Sequence, residues 1–337
     1  LALVMVAFLL GGELTLEFLR EHGRVVMIVS IVVVGVTAGV VGAGLLAFGW
    51  PLELALLLGA IATSTAPAAV ADVVKEMGAR GPFSRILLGV VAVDDAWGLV
   101  VISLVLALVL GLQSPEAARI ATFDGFLDLA GALLVGCAIG VPIAILTGRV
   151  REGEPTLAEA LGGVMLCGGV AIWLDVSFLL AAMTMGVVVA NLARHHRRPF
   201  RAIEGIEWPF MVLFFVLSGA SLHLDGLRAT ASLTAVYVVL RVAGRFLGGV
   251  IGAVRADRRE FARHIGVALL PQAGIAIGMA LFVSDRVPEV GDMLLSATVA
   301  ATIVFELFGP ILTRWALIQR GATIADEAAV GASIGGD

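Results

Sequence analysis

The sequence predicts an all-α, polytopic membrane domain organised as an inverted repeat with two interrupted helices. Three observations carry the prediction: composition, the side-to-side placement of basic residues, and a pair of apolar segments broken at mid-span by proline. Of 337 residues, 60% are hydrophobic and 15% charged, with 41 glycines and a mean hydropathy of +1.04, where soluble domains carry roughly 25% charged residues. A soluble globular protein is excluded. At ~20 apolar residues per span, the length is filled by spans and short connections, with no room for a separate catalytic domain.

Apolar windows between charged or Pro/Gly punctuation predict eleven helices, at 1–18, 24–48, 52–77, 82–111, 126–148, 157–174, 177–193, 205–224, 230–254, 262–284 and 290–317. If these alternate across the bilayer, 17 of the 22 basic residues fall on one side, among them Arg20, Arg24, Arg149, Arg151, Arg255 and Arg314. Only three, Arg119, Arg228 and Arg286, fall on the other, and Arg241 and Arg245 lie within a span. Such a split obeys the positive-inside rule, and one missed or invented helix would scramble it. It places residue 1 outside and the C-terminus in the cytoplasm, with the membrane the cell (inner) membrane. The net charge of −5 says little, because position relative to the spans is what matters. The chain opens at Leu1 in apolar sequence, without methionine, basic leader or cleavage site, and reads as a fragment lacking its true start. The tail 319–337, rich in small and acidic residues, reads as a disordered cytoplasmic segment. Cys137 and Cys167 lie in apolar segments and read as small hydrophobes.

Glycines spaced by four, Gly35 with Gly39, Gly136 with Gly140, and Gly244, Gly248 and Gly252, read as close helix packing. Three other places break the rules of a span. In VAVDDAWG, Asp94 and Asp95 lie near the middle of the fourth helix, where one charged residue costs roughly 2.5–3.5 kcal/mol and two adjacent carboxylates repel. Neighbours on a helix point ~100° apart, so one carboxylate can face a fixed partner and the other a cavity. That pattern points to an ion or proton site.

ATSTAPAAV, residues 62–70, puts Pro67 at mid-span of the third helix beside Thr63, Ser64 and Thr65, whose hydroxyls can serve freed carbonyls. LLPQAGIAIG, residues 269–278, repeats the interruption with Pro271, Gln272 and Gly274 in the tenth. Each break sits in the central helix of a three-helix group, and the groups 24–111 and 230–318 have opposite topology. Paired breaks in inverted repeats point to a midplane transport site. Their positive half-helix ends call for Asp94 or Asp95 and their negative ends for a cation, supplied by Arg245, with Arg241 one turn earlier competing for the role.

ATSTAPAAV, GPFSRILLGVVAVDDAWGLV, FFVLSGASLHL, AGRFLGG, LLPQAGIAIG and FELFGPILTRWAL stand in the order seen in the monovalent cation/proton antiporters. Over Phe8 to Leu317 the chain resembles that family, particularly its double-aspartate branch. The resemblance implies an inverted-repeat antiporter fold of thirteen helices, with two crossed, unwound helices and a six-helix core moving against a dimerisation domain. It implies exchange of Na⁺, Li⁺ or K⁺ for protons, by a homodimer in the bilayer, with no cofactor, no enzymatic activity and no nucleic-acid partner. By the same resemblance Asp95 is the ion-binding aspartate, Asp94 its partner, Arg245 the residue that pairs with Asp94, and Pro67 and Pro271 the marks of the crossed helices. Many electrogenic relatives have lysine where Arg245 stands, and potassium-efflux relatives carry a nucleotide-binding domain not seen in this sequence.

The expected organisation is a truncated outer helix (1–23), core repeat one (24–111), a linker helix (112–156), scaffold helices (157–229) and core repeat two (230–318). Thr63 and Thr65 are expected to add oxygens to the ion site, and mid-span Glu306 to need a partner such as Arg241 or Arg245. His195 and His196 read as part of a solvated basic loop. Two other classes fit less well. An intramembrane aspartyl protease needs its aspartates on different helices, and a sodium-coupled organic-solute symporter shares the inverted repeat but would bind an organic substrate.

Overall fold

A computed structural model describes residues 2–113, 115–146, 156–193, 197–206, 209–210, 212–213, 216, 230–284 and 286–320. Among the described residues the fold is entirely helical. In chain order the helices are α1 (Ala2–Glu13), α2 (Leu16–Ala47), α3 (Leu52–Ile61), α4 (Pro67–Glu76), α5 (Pro82–Gln113), α6 (Pro115–Leu146), α7 (Thr156–Trp173), α8 (Phe178–Leu192), α9 (Arg197–Glu204), α10 (Ala231–Arg255), α11 (Ile265–Ala268), α12 (Gly274–Ser284) and α13 (Pro288–Gln319). The segments Arg20–Ala47, Gly125–Leu146, Ala231–Arg255 and Pro288–Gln319 are long and apolar enough to cross a membrane. The FFVLSGASLHL segment (apart from Val216), Arg228, His195, His196 and the tail from 321 lie outside the described residues.

The boundaries depart from the apolar windows where polar residues are good helix formers. α2 starts at Leu16 and runs unbroken through Arg20 and Arg24, and α6 starts at Pro115 rather than 126. Polarity there marks the edge of the hydrocarbon, and Arg, Glu and Ala all propagate a helix. The basic stretch expected as a loop contains α9, whose apolar side buries Ile203 and stacks Phe200 on Phe8 with ring centroids 4.5 Å apart.

The chain divides into two compact units. One comprises residues 1–23 and 114–222, the other 24–113 and 223–337. In the first, a Cβ on Gly11 would lie 2.1 Å from the carbonyl oxygen of Met183, and one on Gly186 2.1 Å from that of Phe8, so α1 and α8 touch backbone to backbone. Gly136 does the same for α6, its Cβ position 2.4 Å from the Ala181 carbonyl oxygen. Asn191 then ties the α1–α2 connection to α8, accepting from Leu16 N–H at 2.6 Å and donating to the Leu14 carbonyl at 3.1 Å.

In the second unit, α10 lies along α2 on a seam of glycines. A Cβ on Gly244, Gly248 or Gly252 would stand 3.0, 2.8 or 3.1 Å from the Cα of Thr37, Val33 or Val29 respectively. Gly35 and Gly39 differ from the expectation of close packing, with nothing within 4 Å of the added Cβ. They lie on the other side of α2 from its buried stripe of Val26, Ser30, Val33, Thr37 and Val41. Facing α10 and α2 are the two interrupted helices. Pro67 takes the first position of α4, where its missing N–H costs nothing and its fixed φ suits a helix start. α3 therefore ends at Ile61 and leaves residues 62–66 unwound, while α11 and α12 flank residues 269–273.

Candidate ion-binding site

The two unwound segments meet. Ala66 N–H donates to the Pro271 carbonyl at 2.8 Å, and Ala66, Ala69 and Ala273 pack around the contact. α13 closes over it at Gly309, where a Cβ would stand 2.7 Å from Pro271 Cα. A proline and a row of small residues thus let two backbones and a third helix converge where larger side chains would hold them apart.

α5 carries Asp94 to this junction, wholly buried. Its Oδ1 accepts from Ser30 Oγ at 2.6 Å, and its Oδ2 from Thr65 Oγ1 at 2.9 Å and Arg245 Nη1 at 3.0 Å. Each partner comes from a different element: α2, the first unwound segment and α10. A buried carboxylate is tolerated when a counter-charge and directed donors replace its water, and this one has both. Asp95 follows Asp94 on α5; its side chain lies outside the described residues.

Arg241 and Arg245, one turn apart on α10 and both wholly buried, receive the carbonyl ends of the interrupted helices. Arg245 Nη2 donates to the Thr63 carbonyl and, at 3.4 Å, to that of Ala62. Arg241 donates from Nε to Ala62 at 3.1 Å, from Nη1 to Leu270 at 2.7 Å and from Nη2 to Ser64 at 2.8 Å, while its guanidinium carbon sits 4.2 Å from the Phe305 ring centroid. The two arginines do not compete for one role. Arg245 pairs with Asp94, and Arg241 binds backbone from both breaks.

Gln272 also links the breaks, its Nε2 lying 3.3 Å from Tyr237 Oη and 3.4 Å from both Ser64 Oγ and the Ile61 carbonyl. The hydroxyls of Thr63 and Ser64 turn back on the Ala60 and Ile61 carbonyls at 2.7 and 2.9 Å. Thr63 thus caps α3, and Thr65 braces Asp94. Gly274 begins α12.

Glu306 departs from expectation: among the described residues it forms no ion pair, since Arg245 is committed to Asp94 and Arg241 to carbonyls. Phe305, not Glu306, is the α13 residue turned toward Arg241. Ser30 went unrecognised in the sequence. Its signal was a lone hydroxyl in the apolar run MIVSIVVV, legible only once a neighbour with a charge to satisfy is known. The described residues contain no group of three or more metal-ligating side chains.

A helical membrane core whose two interrupted helices cross beside a buried carboxylate–guanidinium pair defines a secondary transporter. Its family is that of the transmembrane sodium/hydrogen exchangers, to which the chain belongs by a match over residues 1–319. It is 20% identical to the ammonium/H⁺ antiporter subunit AmhT of Alkalihalophilus pseudofirmus, over 91% of this chain and 80% of that one. It is 26% identical to the Na⁺/H⁺ antiporter NhaP of Pseudomonas aeruginosa, over 79% and 68% of the two chains. It is also 26% identical to the Na⁺/H⁺ antiporter ApNhaP of Aphanothece halophytica, over 89% and 60%. The solved structure of the sodium proton antiporter MjNhaP1 from Methanocaldococcus jannaschii superimposes with a TM-score of 0.68 at 18% identity, covering 94% of this chain and 81% of that one. The protein is a multi-pass membrane transporter and not an enzyme, and the organic-solute symporter reading has no support among these relatives.

Proposed function

We propose that the protein exchanges one monovalent cation, Na⁺, Li⁺ or K⁺, for one proton by alternating access, with Asp95 as the exchanging carboxylate and no cofactor. The observation that carries the reading is the saturation of Asp94 by Ser30, Thr65 and Arg245. A carboxylate held by a permanent guanidinium and two hydroxyls is a fixed charge, which leaves its neighbour on α5 to alternate. Deprotonated, Asp95 binds the cation; protonated, it releases it and the core re-orients. Either ligand brings one positive charge to the same carboxylate, so the core presents equal charge in both crossings and the exchange is electroneutral. The proton gradient is the sole energy source.

The test is proton flux in proteoliposomes titrated separately with each cation. Asp95→Asn is expected to abolish the flux while the protein still inserts and elutes as a single species. Cation-dependent flux retained in that variant would falsify the assignment of Asp95.

We further propose a homodimer in the inner membrane with a cytoplasmic C-terminus. The basic residues of the connections support the orientation. The dimer reading rests on α7 and α8, which carry no charge at mid-span and suit a static scaffold. Native mass measurement in mild detergent should give twice the chain mass; a monomer at all concentrations refutes it.

A further inference from the structure

Glu306 has no part in the exchange at Asp95. It lies near the middle of α13, level with the crossing: Phe305 before it stands against Arg241, and Gly309 one turn after it packs on Pro271. The residue is partly buried. Among the described residues its side chain makes no ion pair and no hydrogen bond. A carboxylate at this depth is costly without a partner, and the nearby arginines are committed elsewhere.

Along α13 it is accompanied by unclaimed oxygens. Thr302, one turn toward the helix start, is 1% exposed, and its Oγ1 has no hydrogen-bond partner among the described residues. Thr298, a turn further, is wholly buried and equally unpartnered. Residues four apart share one side of a helix and side chains lean toward its N-terminus, so Glu306 reaches back over Thr302. Pro310 stands inside α13, four residues after Glu306. It has no N–H to give, so the Glu306 carbonyl loses its helix partner. One residue thus carries a carboxylate and a freed backbone oxygen, with a buried hydroxyl one turn away. A proton would serve one of these oxygens. A small cation attracts all of them at once, as oxygens that replace a hydration shell do.

We propose that Glu306, with the hydroxyl of Thr302 and the carbonyl freed by Pro310, forms a second monovalent-cation site, separate from Asp95, whose ion stays with the core in both crossings. The resident ion is the counter-charge that no arginine provides. It steadies α13 where that helix closes over the crossing. Because it does not alternate with a proton, it leaves the exchange ratio unchanged. The inference goes beyond the exchange reading and does not depend on it.

The experiment counts bound Na⁺ per chain by equilibrium dialysis of radioactive Na⁺ against the full chain in mild detergent, with choline as the other cation. Wild type, Asp95→Asn, Glu306→Gln and the double variant are compared. Glu306→Gln should bind one Na⁺ fewer than its parent in both backgrounds, so that Asp95→Asn keeps one and the double variant none. A count that Glu306→Gln lowers in neither background overturns the proposal. Thr302→Val removes the hydroxyl, and Pro310→Ala returns an N–H to the Glu306 carbonyl. In the Asp95→Asn background each should weaken the remaining site by ~3–10-fold, the worth of one neutral polar contact.

If Glu306→Gln does not fold, those two variants decide, and unchanged affinity in both overturns the proposal. Infrared spectra at saturating Na⁺ and neutral pH give a separate check. A protonated-acid carbonyl band that is lost in Glu306→Gln would mean a bound proton only, and overturns it as well. Missing cation-dependent flux in wild-type proteoliposomes would defeat the exchange reading alone; the Na⁺ count at Glu306 decides this inference either way.

Discussion

Removing the guanidinium of Arg245 should cost more than removing any other partner of Asp94, and a double-mutant cycle can measure why. After Arg245→Gln the carboxylate of Asp94 is still wholly buried and still accepts from Ser30 at 2.6 Å and Thr65 at 2.9 Å, but its counter-charge at 3.0 Å is gone. Stranding one charge of a buried pair costs about 3–5 kcal/mol. Asp94→Asn strands Arg245 instead, which keeps its bonds to the carbonyls of Thr63 and Ala62, and should cost a similar amount. With both replaced no charge is stranded, so the double variant should be more stable than the sum of the singles implies, by ~2–3 kcal/mol. Ser30→Ala supplies the yardstick. It removes a single hydrogen bond between helices, which inside membranes averages ~0.6 kcal/mol and reaches ~1.7. Reversible unfolding by SDS titration in mixed micelles reads all four variants. If the singles add to the double within ~0.5 kcal/mol, or if Ser30→Ala costs as much as Arg245→Gln, the pair is not the anchor of the crossing.

Two further outcomes follow from the geometry. Gly248→Ala would press a Cβ to 2.8 Å from Val33 Cα, a backbone contact that cannot swing away, and should lower stability by about 1–3 kcal/mol. Gly35→Ala, with nothing within 4 Å, should leave the melting temperature unchanged or higher; equal losses in the two variants would contradict the α2–α10 seam. On the proposal that Asp94 stays paired with Arg245 and Asp95 alone exchanges, the steady-state cation gradient should not respond to an imposed membrane potential when proton leak is controlled. A gradient that tracks the potential refutes one-for-one exchange.

Much of this protein was legible in one dimension, and for a common reason. Hydrocarbon tolerates few polar groups, so each one inside a span is a signal: Asp94, Asp95, Arg241, Arg245, Pro67, Pro271 and Gln272 stood out against apolar neighbours before any contact was known. Placing the breaks needed only the proline rule and the mid-span position, and the family match over residues 1–319 agrees with the order of the motifs.

What the sequence could not decide was how the signals pair, because pairing depends on which faces meet in space. Arg241 and Arg245 look alike four residues apart, yet a single turn of α10 aims one at a carboxylate and the other at the ends of two broken helices. Glu306 looks like a partner for either, but the rotation of α13 turns Phe305 to Arg241. Ser30 looks like a small residue in an apolar helix until α2 is laid against α5 and its hydroxyl meets Asp94. Gly248 and Gly35 are equivalent as letters. Only the approach of another backbone to one side of α2 separates a packing seam from open surface, because local sequence sets which groups a helix carries and tertiary contact sets what each of them must satisfy.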